Sequence, residues 1–252
     1  MAYRHYQWRT DIYPAPSQVL ESLLNFFGFS LTGTPPAAGS WPHRFLHSDG
    51  LEANIVSILR LIIGFAISFL LGAIFGGLMW RWEAVDRFFG PVFLGMQTLP
   101  SVCWAPLAVL VGLDEKGILF VLVMGSACGI AVAMRDGLRT IPPLYRRAGL
   151  MLGARQWRLY RYVLLPAALP ALASTLRQGF GYAWRSLMGA EMILPAQNQG
   201  LGRLLADAQG NSIEQGVAII LIMIVIGMIA DRLAFAPLER RVHERFGLIA
   251  VS

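Results

Sequence analysis

Residues 141–170 read IPPLYRRAGLMLGARQWRLYRYVLLPAALP and lie between two long apolar runs. Pro142 and Pro143 can open a helix, because the missing proline N–H costs nothing in a first turn. Ala148, Met151 and Leu152 then form one apolar surface, Gly153 and Ala154 a small-residue turn, and Trp157, Tyr160 and Val163 follow before Pro166. The spacing predicts a short helix, a glycine corner and a second helix that feeds the next apolar run. Such a shape suits a socket on another protein. It equally suits a surface of anionic lipid, because arginines stud it throughout.

The flanking runs decide the fold class. The chain has 252 residues, 56% hydrophobic and 14% charged, whereas soluble domains carry about 25% charged residues. So little charge points to a bilayer as the solvent. Leu61–Met79 carries no charge and is long enough to cross roughly 30 Å of hydrocarbon. Gly72 and Gly76 within it form a small-xxx-small pair suited to close helix packing. Phe88–Leu113 is also uncharged, but Pro91, Pro100 and Pro106 predict a kinked or broken helix. Gly117–Met134 follows, with Gly125 and Gly129 spaced like the first pair. A fourth run spans about Pro166–Ala190 and contains Arg177 and Arg185; a fifth covers Gly216–Ala230 and continues toward Phe235. The expectation is an all-α polytopic bundle of about five spans.

The arginines set the orientation, since cytoplasmic loops are enriched in Arg and Lys. Arg135, Arg139, Arg146, Arg147, Arg155, Arg158 and Arg161 face only Asp136 between the third and fourth spans, which puts that loop in the cytoplasm. Parity places the tail with Arg232, Arg240, Arg241 and Arg245 on the same side, together with the short loop around Trp82. It places residues 1–50 and the loop holding Arg203, Asp207 and Glu214 outside. The expected division is an external segment over 1–50, a transmembrane domain over 51–240 with its basic loop at about 135–165, and a cytoplasmic tail over 241–252. The first 17 residues, MAYRHYQWRTDIYPAPS, hold no apolar run of the kind a cleavable leader needs, so insertion is expected from the later spans. Ser17 is placed as the cap of a short helix presenting Val19, Leu20, Leu23, Leu24 and Phe27, either interfacial or packed on the rest of the protein.

The net charge of +6 resides in arginines clustered between apolar runs, with Lys116 the sole lysine. That pattern argues against a nucleic-acid partner. Cys103 and Cys128 sit in apolar runs without metal-type spacing and read as buried, inert thiols. His5, His43, His47 and His243 all lie outside the spans, and no metal site is expected. No GxxxxGK[ST] phosphate loop occurs, so any ATP must be bound by another chain.

The basic loop resembles the EAA loop of ABC importer permeases, whose frame is E-A-A, three residues, G, nine residues, then I-x-L-P. Aligned on Gly153, Arg147, Ala148 and Gly149 stand at E-A-A, Val163 at I and Leu165–Pro166 at the closing L-P. The stretches QTLPSVCWAPLAVLVGLDEKG and LRQGFGYAWRSLMGAEMILPAQNQGLGRLLADA, and the ending DRLAFAPLERRVHERFG, are similar to the nitrate/sulfonate/taurine/bicarbonate branch of that family. The likeness extends over roughly residues 50–247. It implies a permease subunit of an ATP-driven importer rather than an enzyme, working in a bacterial-type inner membrane. It also implies two cytoplasmic ATPase subunits that hold ATP and Mg, a second permease copy, and an external binding protein that delivers a small solute such as nitrate, a sulfonate or bicarbonate. By position, the docking residues are Arg147, Ala148, Gly149, Gly153, Ala154, Trp157 and Arg158, on an EAA-type coupling helix. Two positions depart from the motif, Arg147 for its acid and Gly149 for its second alanine, and an acid-to-base change alters which partner is accepted. Relatives usually carry a span before the segment matching Pro14, Pro16 and Val19; the expectation is either a five-span variant or a shortened form.

Ionisable groups within spans usually face a cavity or a partner. Arg177 and Arg185 are therefore pathway candidates. Gln178 and Arg185 share nearly one helix face, and Glu191 lies on an adjacent one. Arg185 can hold an oxyanion in a cavity, pair with Glu191, or reach to an interface. Around Pro100, a helix break would turn Gln97, Thr98 and Ser101 toward a cavity, with Trp104 as a wall. A stand-alone secondary transporter and a membrane-embedded enzyme are the alternatives. The first lacks a visible internal repeat and the second a nucleophile or acid pair within the spans.

Overall fold

In the computed structural model, residues 14–27, 48–112, 114–154 and 157–245 are described. Helix α1 is Pro16–Phe26, α2 Asp49–Arg81, α3 Glu83–Thr98, α4 Ala105–Val111, α5 Glu115–Arg139 and α6 Pro143–Met151. Helix α7, Leu165–Ile193, is entered through Trp157–Leu159 and a wide π turn at Tyr160–Leu164; α8 is Leu201–Asn211. Helix α9, Ile213–Ala230, runs through a second π turn, Asp231–Phe235, into α10, Ala236–Arg245. Among the described residues there is no strand.

Four stretches are long and apolar enough to cross a membrane: Gly50–Arg81, Glu115–Arg139, Trp157–Ile193 and Ile213–Val242. The fifth expected span is broken. Helix α3 and the segment Ser101–Val111 meet at an angle of 108°, because Pro100 supplies no N–H and Leu99 is extended. The first span begins a dozen residues earlier than the uncharged run suggested, at Asp49, capped by Ser48 Oγ accepting from Leu51 N.

Helix α5 is the axis of the bundle: 61% of its most apolar window is buried, against 22–28% in the other spans. The expected glycine pairs bring helices against it. A Cβ on Gly72 would lie 2.5 Å from the Ile130 side chain, and one on Gly76 would lie 2.6 Å from the Ala131 carbonyl oxygen, so only glycine lets α2 approach α5 there. On α5 itself, a Cβ on Gly125 would lie 2.3 Å from Ser186 Oγ of α7. Leu61, Ile118, Leu122, Ala183 and Leu187 fill the core between these three helices, with Phe65 set edge-on to Phe180 and Phe235 at its edge. Outward-facing Ile62, Leu70, Leu110, Ile224 and Met228 leave an apolar exterior, as a lipid-facing surface requires.

Two sequence expectations are corrected. Ser17 does not cap α1; the helix starts at Pro16 after Ala15, whose N–H donates to Gln18 Oε1 at 2.8 Å. Cys128 is buried, but Cys103 is exposed, because the turn after Pro100 swings it outward. Of the two placements expected for α1, the structure has it packed on the rest of the protein, against α9. The loop at 28–47, including His43 and His47, lies outside the described residues, as do His5 and 246–252 of the tail.

The two ends of the bundle match the parity of the arginine rule. At one end Asp86, after the first span, meets Arg139 at 2.7 Å and Arg135 at 3.1 Å. At the other, Arg60, Glu115 and Glu191 gather beside the loop that leads into α8.

Candidate coupling surface and solute path

At the arginine-rich end, Pro142 and Pro143 open α6 without a side-chain cap. The helix closes when Leu152 N donates to the Ala148 carbonyl, Gly153 N to Leu150 and Ala154 N to Gly149. Gly153 has φ +81°, the left-handed region that favours glycine. Reversal there leaves Met151 and Leu152 89% and 88% exposed at the tip. Leu144 and Trp157 are also exposed, as are Arg147, Ala148 and Arg158 around them. Six of the seven docking candidates thus share one accessible corner, Ala154 half-buried. Gly149 does not: it is buried, and a Cβ there would lie 2.7 Å from Leu159 Cδ1 and 3.1 Å from Val163. A partner cannot touch it. Its role is to let α6 lie flat against the π turn that begins the next span.

The polar candidates of the broken span lie close to α7 across α5. A Cβ on Gly129 would lie 3.0 Å from the Tyr182 ring and 3.5 Å from Gln97 Oε1. Gly125 likewise has Ser101 and Ser186 as neighbours. Gln97 and Thr98 are exposed at the end of α3, while Ser101 and Trp104 are half-buried in the turn that follows. The Trp104 indole N–H is buried without a hydrogen-bond partner. On α7, Gln178 and Arg185 are both exposed. Arg185 Nε donates to the Gly181 carbonyl at 3.2 Å and its guanidinium lies 5.5 Å from the Tyr182 ring centroid, and among the described residues no carboxylate pairs with it.

Arg185 does not pair with Glu191. Glu191 is 1% exposed and its carboxylate is filled: Arg60 Nη1 donates at 2.8 Å, Ser57 Oγ at 2.8–2.9 Å and Gly202 N at 3.0 Å. Arg60 also grips Glu115 with Nε and Nη2, and donates to the Asn198 carbonyl. Glu191 therefore belongs to a closed knot tying α2, α5, α7 and the α8 entry, and lines no open surface in this structure. Arg60 escaped sequence reading because it stands one residue before the uncharged run; the available signal was its spacing of three from Ser57. Arg177 is likewise engaged, with Asp231 at 2.6 Å and 2.7 Å and with Glu239 at 2.9 Å.

A bundle with a polar bend, one outward-facing intramembrane arginine and an exposed apolar corner at its basic end has the parts of a transport subunit driven from outside itself. The family of binding-protein-dependent transport system inner membrane components matches residues 68–243. The chain belongs to that family. This binding-protein-dependent permease is 30% identical to an ABC transporter permease protein of Methanocaldococcus jannaschii over 184 residues, 72% of this chain and 68% of that one. It is 28% identical to the nitrate import permease protein NrtB of Synechocystis, covering 87% of this chain and 76% of NrtB. With the taurine transport system permease protein TauC of Escherichia coli it shares 26% identity, over 77% and 66% of the two chains. Two solved transporters share its fold. The inward-facing MetNI methionine ABC transporter gives a TM-score of 0.59 at 21% identity, covering 74% of this chain and 92% of that one. An amino acid ABC transporter solved with histidines gives 0.64 at 17% identity, covering 82% and 100%. The permease is a membrane-integral importer subunit and not an enzyme; in such systems the ATPase is a separate chain and a binding protein completes the assembly.

Proposed function

We propose that this permease, in a bacterial-type inner membrane, couples a separate ATPase to uptake of a small oxyanion through the corner at Met151–Gly153. The observation that carries this reading is the pair of side chains Met151 and Leu152, almost wholly exposed on a tight, left-handed turn at the basic end. Exposed apolar tips of this kind mark binding sites. The ATPase holds ATP and Mg; closure of two ATPases draws the corners together, and two copies of the permease rock between outward- and inward-open states. Gln97, Thr98, Ser101, Trp104, Gln178 and Arg185 line the path, weakly enough for transit. The relatives named for nitrate and taurine support an oxyanion cargo, and Arg185 supplies a planar cationic fork suited to one.

The experiment is Met151→Asp with Leu152→Asp. Burial of each side chain contributes about 1.5–3 kcal/mol, so affinity for the ATPase falls roughly a hundredfold or more. Co-purification and substrate-stimulated hydrolysis are lost while the variant stays in the membrane. Full retention of both overturns the docking role.

A further inference from the structure

A cleft of about 420 Å³ opens beneath the coupling corner, between the inner ends of α2, α5 and α7. Its size falls among ordinary ligand sites, which span about 300–1,000 Å³. Its walls are apolar, formed by Ala73, Gly77, Met134, Leu138, Ala168 and Leu172. Its mouth is different in character: Arg81 and Arg161 stand there with Trp80, Trp157 and Tyr160.

We propose that this cleft binds one anionic phospholipid of the inner leaflet, with its phosphate between Arg81 and Arg161 and an acyl chain along the floor at Gly77. Three observations favour that occupant. The depth fits a leaflet: Arg81 to Ala73 covers roughly 12 Å of helix and Arg161 to Leu172 roughly 16 Å, against about 15 Å for half the hydrocarbon core. The rim continues the apolar exterior, since Leu70, Ile74, Leu165 and Leu169 beside it are all exposed. The charge is complementary and available. Arg81 lies over the Trp82 ring with its guanidinium carbon 5.8 Å from the centroid, and among the described residues neither Arg81 nor Arg161 pairs with a carboxylate. Basic pockets between spans on the cytoplasmic side, rimmed by Trp and Tyr, are where acidic headgroups settle. A Cβ at Gly77 meets nothing within 4 Å, so the floor is vacant where the chain would lie. This inference shares only Trp157 with the docking reading, and its test at Arg81, Arg161 and Gly77 touches none of the docking residues.

The test purifies the assembled importer and returns it to nanodiscs of mixed phosphatidylglycerol and phosphatidylcholine, counting lipids retained after stepwise delipidation by native mass spectrometry. The unmodified protein retains one phosphatidylglycerol per permease with a preference of roughly 30-fold over phosphatidylcholine, about fivefold for each arginine. Arg81→Gln with Arg161→Gln abolishes the preference but not the apolar binding. Gly77→Leu fills the floor and removes the retained lipid of either kind. Equal retention of both lipids by the unmodified protein overturns the proposal, and that measurement needs no variant to fold. A Gly77→Cys variant that cross-links in the bilayer to the ATPase or to a second permease overturns it as well.

Discussion

Removing Glu191 tests whether the knot at the outer end is dry and built, or a polar site that faces water. Its carboxylate takes N–H and O–H donors from Arg60, Ser57 and Gly202, and is 1% exposed. Breaking a buried ion pair by truncating one partner costs about 3–5 kcal/mol. The two truncations are not equivalent. Glu191→Ala leaves Arg60 still held by Glu115, which is itself partly exposed, so the cost falls near 3 kcal/mol. Arg60→Ala strands Glu191, fully enclosed with no second cation among the described residues, and falls near 5 kcal/mol. At about 2–4 °C per kcal/mol for chains of this length, the midpoints drop by roughly 6–12 °C and 10–20 °C. The assay is thermal unfolding of the purified complex followed by tryptophan fluorescence, completed by the double variant. Because the residues are in contact, the double variant should cost about 1–3 kcal/mol less than the sum of the singles. If Glu191→Ala shifts the midpoint by less than about 2 °C while uptake collapses, the carboxylate is a path residue and the reasoning fails.

Four further outcomes follow from the geometry. Gly153→Val forces a β-branched residue to φ +81°, a strain of about 1–2 kcal/mol; ATPase co-purification should fall, and pull-down with the ATPase measures it. Arg185→Ala removes a charge-assisted donor worth about 1.5–3 kcal/mol, so uptake of a labelled oxyanion should drop roughly 10- to 100-fold with the complex intact on size exclusion. Arg177→Ala opens the half-exposed clasp to Asp231 and Glu239 at a cost of about 1 kcal/mol; hydrolysis should persist while uptake per ATP falls. Gly72→Leu drives a side chain into Ile130, and yield of folded protein from membranes should fall by an amount matching about 1–3 kcal/mol of overpacking.

The spans were legible because hydrocarbon demands long uncharged runs, and a run such as Gly117–Met134 is long enough to supply one. The break at Pro100 was legible for a related reason, since proline removes a backbone donor that lipid cannot replace. What escaped the sequence depends on distant partners. Arg60 meets residues 55 and 131 positions away, and Arg177 meets residues 54 and 62 positions away. No local pattern encodes such pairings, so the sequence offered Arg185 as the partner of Glu191 and not Arg60. Gly149 misled differently: motif position groups it with the docking residues, but three-dimensional packing turns it inward against Leu159.

The positions of these clasps bear on how a push at the proposed docking corner would reach the proposed path. Leu165 to Arg185 is one helix, roughly 30 Å at 1.5 Å per residue. A lever works only if that helix moves as a piece. Helix α7 is held to α5 by Ser186 Oγ donating to the Val121 carbonyl at 2.9 Å, to α2 by the Glu191 knot, and to the end of the last span by Arg177. The regular ladder is interrupted at the inner end, by the π turns Tyr160–Leu164 and Asp231–Phe235 and by Pro170 inside α7. Arg177 bridges from α7 to the first residue of the second turn, and the Phe180 and Phe235 rings meet at 4.7 Å beside it. The departures from the regular ladder thus sit where the corner joins the bundle, and the Ser186 and Glu191 ties at the opposite end of α7. A displacement at Met151 is then either absorbed at Tyr160–Leu164 or passed to the whole of α7. The ion pair at Arg177 ties α7 to the last span, so a displacement passed to α7 is shared with that span, and its loss should separate hydrolysis from uptake.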